Sequence, residues 1–419
     1  MVIALLGTLV VVFLLTKPTL TFFLWLLLSP FFQGKVIDLG TNIPDLSFDR
    51  VLIFTLFLGV LLSVLSLRKI NTQVDIEDAC IIIFLIGCII SITIWKPIDI
   101  PQQILLIINQ FLSGFVLYFF IKKSNFIKHK KELFFIVCVS ILFVFSIPSI
   151  AEELTGKNIF GSLAEVAGGA IRVRTFFRTA WEFGIYSVMF LPFTFKFFLF
   201  SENKFQKYFS FFTFTIGIVG IIFCFMRGAW LALFIMLLML YIFEKRSRKV
   251  LNIFGVILIG LVVINLDHLV SSEIFLNRIS NIDNLLGRGY LIEQQIELIK
   301  LHPLFGNGLS PVLNTYYFST AYNYNSSFTY STISHNSLMS MLVDLGLISI
   351  FYYLPILIIL IKALIKIITL KMEVDRKMLF LSLFCSALAF LIQSLTFEAR
   401  LFEGAGIFFW VILGFISIL

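Results

Sequence analysis

The chain has 419 residues, of which 59% are hydrophobic and only 13% charged, with a mean hydropathy of +1.02. A soluble domain carries about 25% charged residues, so this composition excludes a cytosolic enzyme and a secreted disulfide scaffold. The formal charge of +8 does not make a nucleic-acid binder, because the charges cluster between apolar runs of membrane-spanning length.

Residues 2–33 form the first apolar unit, interrupted at Lys17-Pro18. No basic residue precedes its first stretch, Val2 to Leu15, and no small-residue cleavage site comes before Lys17-Pro18, so it reads as a retained anchor. At about 1.5 Å per residue it is too long for one straight span, and it crosses once or twice. Apolar runs follow at 50–67, 79–95, 103–121, 133–149, 182–200, 207–226, 228–243, 250–266, 338–361, 378–395 and 404–419. The fold class is an all-α polytopic membrane protein of about twelve transmembrane helices, thirteen if the first unit crosses twice. Cys80, Cys88, Cys138, Cys224 and Cys385 lie within or beside these runs and read as packing residues.

Lysine and arginine mark the cytoplasmic loops. Lys122 to Lys131 holds five lysines, Glu244 to Lys249 four basic residues, and Lys362 to Lys377 five. Alternation from these loops puts 151–181, Arg227, 267–334 and 396–403 on the outer side, and both termini inside for twelve spans. The chain then divides into an N-terminal bundle (1–266), an external loop with an amphipathic helix (267–335), and C-terminal helices (336–419). Two external connections are long, about 30 and nearly 70 residues, so function is expected there. In the longer one, Leu291 to Leu301 alternates at helical spacing, stops before Pro303, and precedes the turn Gly306-Asn307-Gly308.

Arg227 sits alone in an uncharged stretch from Tyr208 to Phe243. An arginine at a helix centre costs about 2.5–3.5 kcal/mol, so here it marks a tight turn near the outer lipid surface. Its planar fork suits a lipid-linked phosphate, and it also fits an arginine snorkelling to headgroups. Arg288, between Gly287 and Gly289, is expected to begin the amphipathic helix, where free backbone N–H groups attract anions. His335, at the junction of loop and span, is placed for proton transfer, although a lone histidine is more often structural. Arg172, Arg174, Arg178 and Glu182 line the other external loop and could hold an anionic sugar or a second phosphate, or be surface charges. Tyr316, Tyr317, Tyr322, Tyr324 and Tyr330 suit sugar rings and equally suit a membrane interface. No DxD, HExxH or GxxxxGK pattern occurs, so the sequence gives no case for a metal or nucleotide cofactor.

The order Arg227-Gly228-Ala229-Trp230-Leu231, then Gly287-Arg288-Gly289 through His302-Pro303-Leu304-Phe305-Gly306-Asn307-Gly308, then His335-Asn336-Ser337 and Asp344-Leu345-Gly346, resembles the O-antigen ligase and O-antigen polymerase superfamily. The resemblance implies a metal-independent, inverting membrane glycosyltransferase at the outer face of a bacterial cytoplasmic membrane. Its donor would be a glycan linked to undecaprenyl diphosphate. Arg227 and Arg288 would hold the diphosphate, and His335 would be the general base of the external catalytic loop. Arg174 and Asn336 would bind substrate, with Arg172, Arg178 and Glu182 beside them. A Ser or Thr often precedes the first arginine in such proteins, and Met226 stands there instead. Polymerisation of surface-polysaccharide repeats is the expected reaction. The alternatives are ligation of finished glycan to lipid A core or protein and, from another class, transport of lipid-linked glycans. A glycan or lipid A-core acceptor, the lipid bilayer, a flippase and a chain-length regulator are the partners implied, with no cofactor and no nucleic acid.

Overall fold

The computed structural model describes residues 14–32, 36–37, 46–67, 73–95, 100–123, 130–159, 161, 163, 165–167, 170–264, 283–309, 336–369 and 373–419. Among the described residues, each apolar run is largely helical. Helix α1 (Pro18–Phe32) leads through the short antiparallel pair β1 (Val36–Ile37) and β2 (Leu46–Ser47) into α2 (Phe48–Leu67) and α3 (Ile76–Trp95). Helix α4 (Ile100–Ile107) continues through a π-helical turn (Ile108–Leu112) into α5 (Ser113–Lys123). Then come α6 (Lys131–Thr155), the hairpin β3 (Glu165–Ala167) and β4 (Ala170–Arg172), α7 (Ala180–Phe200), α8 (Lys204–Phe223), α9 (Arg227–Phe243) and α10 (Lys245–Ile264). Helix α11 (Asp283–Leu301) stands alone in the long loop, and α12 (Ser337–Leu345), α13 (Ile350–Thr369), α14 (Val374–Ser394) and α15 (Glu403–Ile418) complete the order.

Among the described residues, seven helices are long and apolar enough to cross a membrane, and four shorter apolar ones accompany them. The N-terminal stretch before Leu14 lies outside the described residues. The bundle centres on α7 and α14, whose most apolar windows are 83% and 78% buried, against 39% for α8. Lipid tails are as apolar as leucine, so helices are held by packing and interhelical hydrogen bonds rather than by exclusion of water. Both devices occur here. Ser382 Oγ donates to the Pro192 carbonyl at 3.0 Å and Ser386 Oγ to that of Met189, joining α14 to α7. Around Trp410 of α15, Phe115 and Tyr118 of α5 pack edge-on at 4.6 and 5.6 Å, and the indole N–H donates to Tyr352 Oη at 3.3 Å. The five cysteines are buried and unbridged.

The run expected as one span over 338–361 is broken at Gly346, where φ is +58°. The segment His302 to Gly308 folds onto that break: Leu347 N donates to the Pro303 carbonyl at 2.8 Å, Asn307 N to Val343 at 2.9 Å, and Gly308 N to Asp344 at 3.0 Å. The two backbones touch with no room for a side chain. A Cβ on Gly306 would lie 2.3 Å from Asp344 backbone atoms, and one on Gly346 would lie 2.5 Å from the Pro303 oxygen. Ser91 of α3 adds a hydrogen bond to the Phe305 carbonyl at 3.0 Å. The C-terminal end of α11 is thereby fixed to the bundle.

Gly346→Ala therefore combines a backbone collision with a left-handed conformation that alanine resists. Thermal unfolding of the purified protein in detergent should show a clear loss of stability or of folded yield. Gly406→Ala, in α15 where an added Cβ meets nothing within 4 Å, should be neutral or raise stability by up to about 1 kcal/mol.

Candidate functional site

Four connections meet at one end of the bundle. Val173 N donates to the Phe223 carbonyl at 3.3 Å, tying the loop before α7 to the end of α8. Trp181 stacks on Phe397 with ring centroids 4.0 Å apart, tying α7 to the loop between α14 and α15. A Cβ on Gly228 would sit 2.1 Å from Thr396 Oγ1, so the start of α9 abuts the same loop. Ser337 at the start of α12 accepts from Ala399 N at 2.8 Å and donates to the Phe397 carbonyl at 3.0 Å.

The turn between α8 and α9 is as tight as the sequence suggests: Phe225 has φ +51°, and Trp230 Nε1 reaches back to the Ile221 carbonyl at 3.0 Å. Arg227 is the first residue of α9 and its side chain is exposed. The residue before it, Met226, is buried and provides no side-chain cap. The first backbone N–H groups of α9 thus keep their partial positive charge next to a permanent one.

The arginines before α7 divide into two kinds. Arg172 pairs with Glu165 across the hairpin at 3.2 Å, and Arg174 donates from its guanidinium to the Arg178 and Leu163 carbonyls at 3.2 and 3.0 Å. These two hold the loop. Glu152, wholly buried at the end of α6, accepts from Arg174 N and Thr175 N, where Thr175 has φ +50°. Glu182 is buried and accepts from Arg178 N at 3.2 Å, while Thr179 caps α7. The backbone employs Glu182 directly. Arg178 differs: its side chain is exposed, and it makes no ion pair among the described residues. Since Gly184 of α7 packs against Ala229 and Cys224, Arg178 and Arg227 stand at the starts of two helices in contact.

Asn336 is the N-cap of α12, accepting from Leu338 N at 3.0 Å and Met339 N at 3.3 Å. His335 directly precedes this cap and lies outside the described residues, as do the loop tyrosines 316–330. Arg288 does not begin its helix. Helix α11 is already helical from Asp283, so Gly287-Arg288-Gly289 falls inside it, where backbone N–H groups already have partners. The expected helix-start anion cradle at Arg288 is absent for that reason. His302, at the other end of α11, has its imidazole pushed below its usual range by burial.

One cluster escaped the sequence reading. Arg400 donates to Asp344 Oδ2 at 2.8 Å, to Glu398 Oε1 at 2.7 Å, and to Ser340 Oγ. The guanidinium and both carboxylates are buried. Burial opposes the charge, but Glu398 and Asp344 outweigh it and hold Arg400 above its ordinary range. The available signal was an acid inside an apolar run, Asp344, with an acid and a base two residues apart in a short link, Glu398 and Arg400. On the opposite side of the link, Asn109 in the π-helical turn accepts from Arg50 Nε at 2.9 Å and donates to Glu403 at 3.0 Å.

The described helices are those of a polytopic membrane protein, with Arg178 and Arg227 exposed at one end of the bundle. Residues 212–354 match the family model described as O-antigen ligase, which bears out the resemblance to the O-antigen ligase and polymerase superfamily over that segment. The match covers roughly a third of the chain and contains Arg227, Arg288, His335 and the Gly306/Gly346 contact. No curated protein matches the chain.

Removing one member of a buried ionic cluster strands the others, at a cost of about 3–5 kcal/mol. Arg400→Gln should therefore lower unfolding stability strongly. The combined Arg400→Gln, Asp344→Asn, Glu398→Gln variant should recover most of the loss, because no uncompensated charge remains.

Proposed function

We propose that the protein is a glycosyltransferase of the O-antigen ligase and polymerase type, moving glycan from an undecaprenyl-diphosphate donor to an acceptor hydroxyl at the outer face of a bacterial cytoplasmic membrane. The observation that carries this reading is Arg227, exposed at the uncapped start of α9 beside the start of α7 and Arg178. One uncapped helix N-terminus and two exposed guanidinium groups suit a diphosphate. In this reading the chain spans about twelve times, and Arg288 and His335 of the external loop act together with Arg227.

The reaction is a single displacement with inversion. The His335 imidazole takes the proton of the acceptor hydroxyl, the hydroxyl oxygen bonds to the anomeric carbon, and the bond from that carbon to the phosphate oxygen breaks. The lipid diphosphate leaves with both bonding electrons. Arg227 and Arg288 carry the charge developing on it without a metal, an electrostatic contribution that can be the largest in such catalysis. Arg178 takes the supporting position first expected of Arg174, whose fork is engaged with carbonyl groups. Polymerisation of repeat units is the reading adopted, with flippase and chain-length regulator proteins as partners.

His335→Ala should lower transfer by about 10²–10⁴-fold, and Arg227→Ala by about 10²–10³-fold, with Arg227→Lys intermediate because one fork becomes a point charge. The test is a gel of surface and carrier-linked glycan from the source strain at matched protein levels. Loss of long chains with single repeats left supports polymerisation, and long chains stranded on the carrier indicate a ligase. Unchanged glycan in both alanine variants contradicts the reading.

A further inference from the structure

The end of the bundle remote from Arg227 holds a second arrangement of charge. Helices α8 and α10 both begin there, and both begin with cations: Lys204 and Lys207 on α8, and Lys245, Arg246, Arg248 and Lys249 on α10. All six side chains are exposed, and none makes an ion pair among the described residues. The acids nearest in sequence do not balance them. Glu202 is exposed and unpaired with any of the six, and Glu244 is buried, its carboxylate accepting from Arg246 N at 3.0 Å. Helix starts carry partial positive charge, so the dipoles of α8 and α10 add to the positive potential here instead of offsetting it.

Next to these cations the two helices enclose an aromatic seam. Lys207, Phe211 and Phe214 share one stripe of α8 at helical spacing. Both rings pack on Phe254 of α10, with centroids 6.1 and 5.3 Å apart, and Phe198 of α7 packs on Phe211 at 5.0 Å. Phe198 and Phe254 are half-buried and Phe211 is exposed, so the seam is open along its length. On α10, Arg246 and Val250 precede Phe254 at four-residue steps, and the Arg246 guanidinium lies over the Phe200 ring, 5.0 Å from its centroid, where α7 turns into α8. Lys207 and Arg246 therefore flank the mouth of the seam. Arg248 is engaged elsewhere: it donates to the Tyr241 and Ile242 carbonyls at 2.9 and 3.0 Å and closes the end of α9.

The surface on either side of the seam is apolar. Tyr208 and Phe212 of α8 and Ile253 and Val256 of α10 are exposed, and α8 is long and apolar enough to cross a membrane. Basic residues at the end of a span orient it in the bilayer, and an open apolar seam directly beyond them adds a bed for an acyl chain. A ligand that matches both parts has an anionic head and an apolar tail. A zwitterionic headgroup fits less well, because its ammonium would meet the same cations. We propose that the seam between α8 and α10 binds an anionic phospholipid of the leaflet at that end, its phosphate between Lys207 and Arg246 and an acyl chain along Phe211 and Phe254. The site is independent of the glycan reading, because none of its residues takes part in that chemistry.

Native mass spectrometry of the full-length protein, released from nanodiscs of equal phosphatidylglycerol and phosphatidylethanolamine, tests this. Wild type should retain phosphatidylglycerol in preference by about tenfold, the order expected of two cations at a membrane surface. The double variant Lys207→Gln, Arg246→Gln should bring the two lipids to near-equal retention. The exchange Lys207→Arg, Arg246→Lys should keep the preference, because both charges stay. Neither side chain makes an ion pair among the described residues, so both variants keep the fold. Lys366→Gln, which removes a cation of α13 lying over the Phe380 ring, should leave the preference intact. Equal retention of both lipids by wild type, or an undiminished preference in the glutamine double variant, overturns the proposal. An equal loss in Lys366→Gln overturns it as well, by reducing the effect to diffuse surface charge. Release of phosphatidylglycerol by millimolar glycerol phosphate overturns the assignment to a lipid in favour of a soluble anion.

Discussion

A guanidinium buried beneath the polar end of a helical bundle must find its counter-charges inside the protein, and Arg400 finds two. Its bonds to Asp344 and Glu398, with Ser340 beside them, fasten the loop between α14 and α15 along the length of α12. Three neighbouring elements meet that loop. Trp181 stacks on it, Gly228 abuts it, and Ser337 exchanges hydrogen bonds with it. An ion cluster of this kind adds little net stability compared with apolar packing, yet it tolerates no partial loss. It serves here to fix α12 against the loop between α14 and α15.

The same logic of fixed starting points runs through the site. Helix α9 begins at Arg227 because Phe225 turns the chain through a left-handed conformation and Trp230 clamps the turn. Helix α7 begins at Ala180 because Thr179 caps it and Glu182 holds the preceding amide. Helix α11 ends where Gly306 and Gly346 let two backbones touch. Small residues and positive φ angles appear where one backbone must approach another or reverse sharply, and the charged groups ride on those points.

Much of this was legible in the sequence. Hydropathy alone marks the helices, because each apolar run has the length and polarity that only a helix can satisfy in lipid. Arg227 at a tight turn and the Gly306-Asn307-Gly308 turn were legible too, since an arginine is costly inside an apolar run and paired glycines permit the backbone to reverse. Three features were not. The division of labour between Arg174 and Arg178 depends on which carbonyls lie within reach, and spacing does not encode that. The reach of α11 ahead of Arg288 was obscured by the glycines on either side of it, which read as a helix boundary but sit inside the helix. The Arg400 cluster joins residues more than fifty positions apart, so only the fold brings them together.

The two ends of the bundle differ in how they treat charge. At the lysine-rich end, Lys122, Lys123, Lys196 and Lys362 are paired with carboxylates, and the exposed cations of α8 and α10 flank a seam of apolar rings. At the other, Arg178 and Arg227 stay exposed, and Arg227 stands against free backbone N–H groups. The account stands on that second arrangement as a diphosphate site, so the most direct measurement is equilibrium binding of undecaprenyl diphosphate to the purified protein, wild type against Arg227→Ala and Arg178→Ala. The account predicts salt-sensitive binding, weakened by about tenfold or more in each variant. Binding that is equally tight in all three proteins contradicts it.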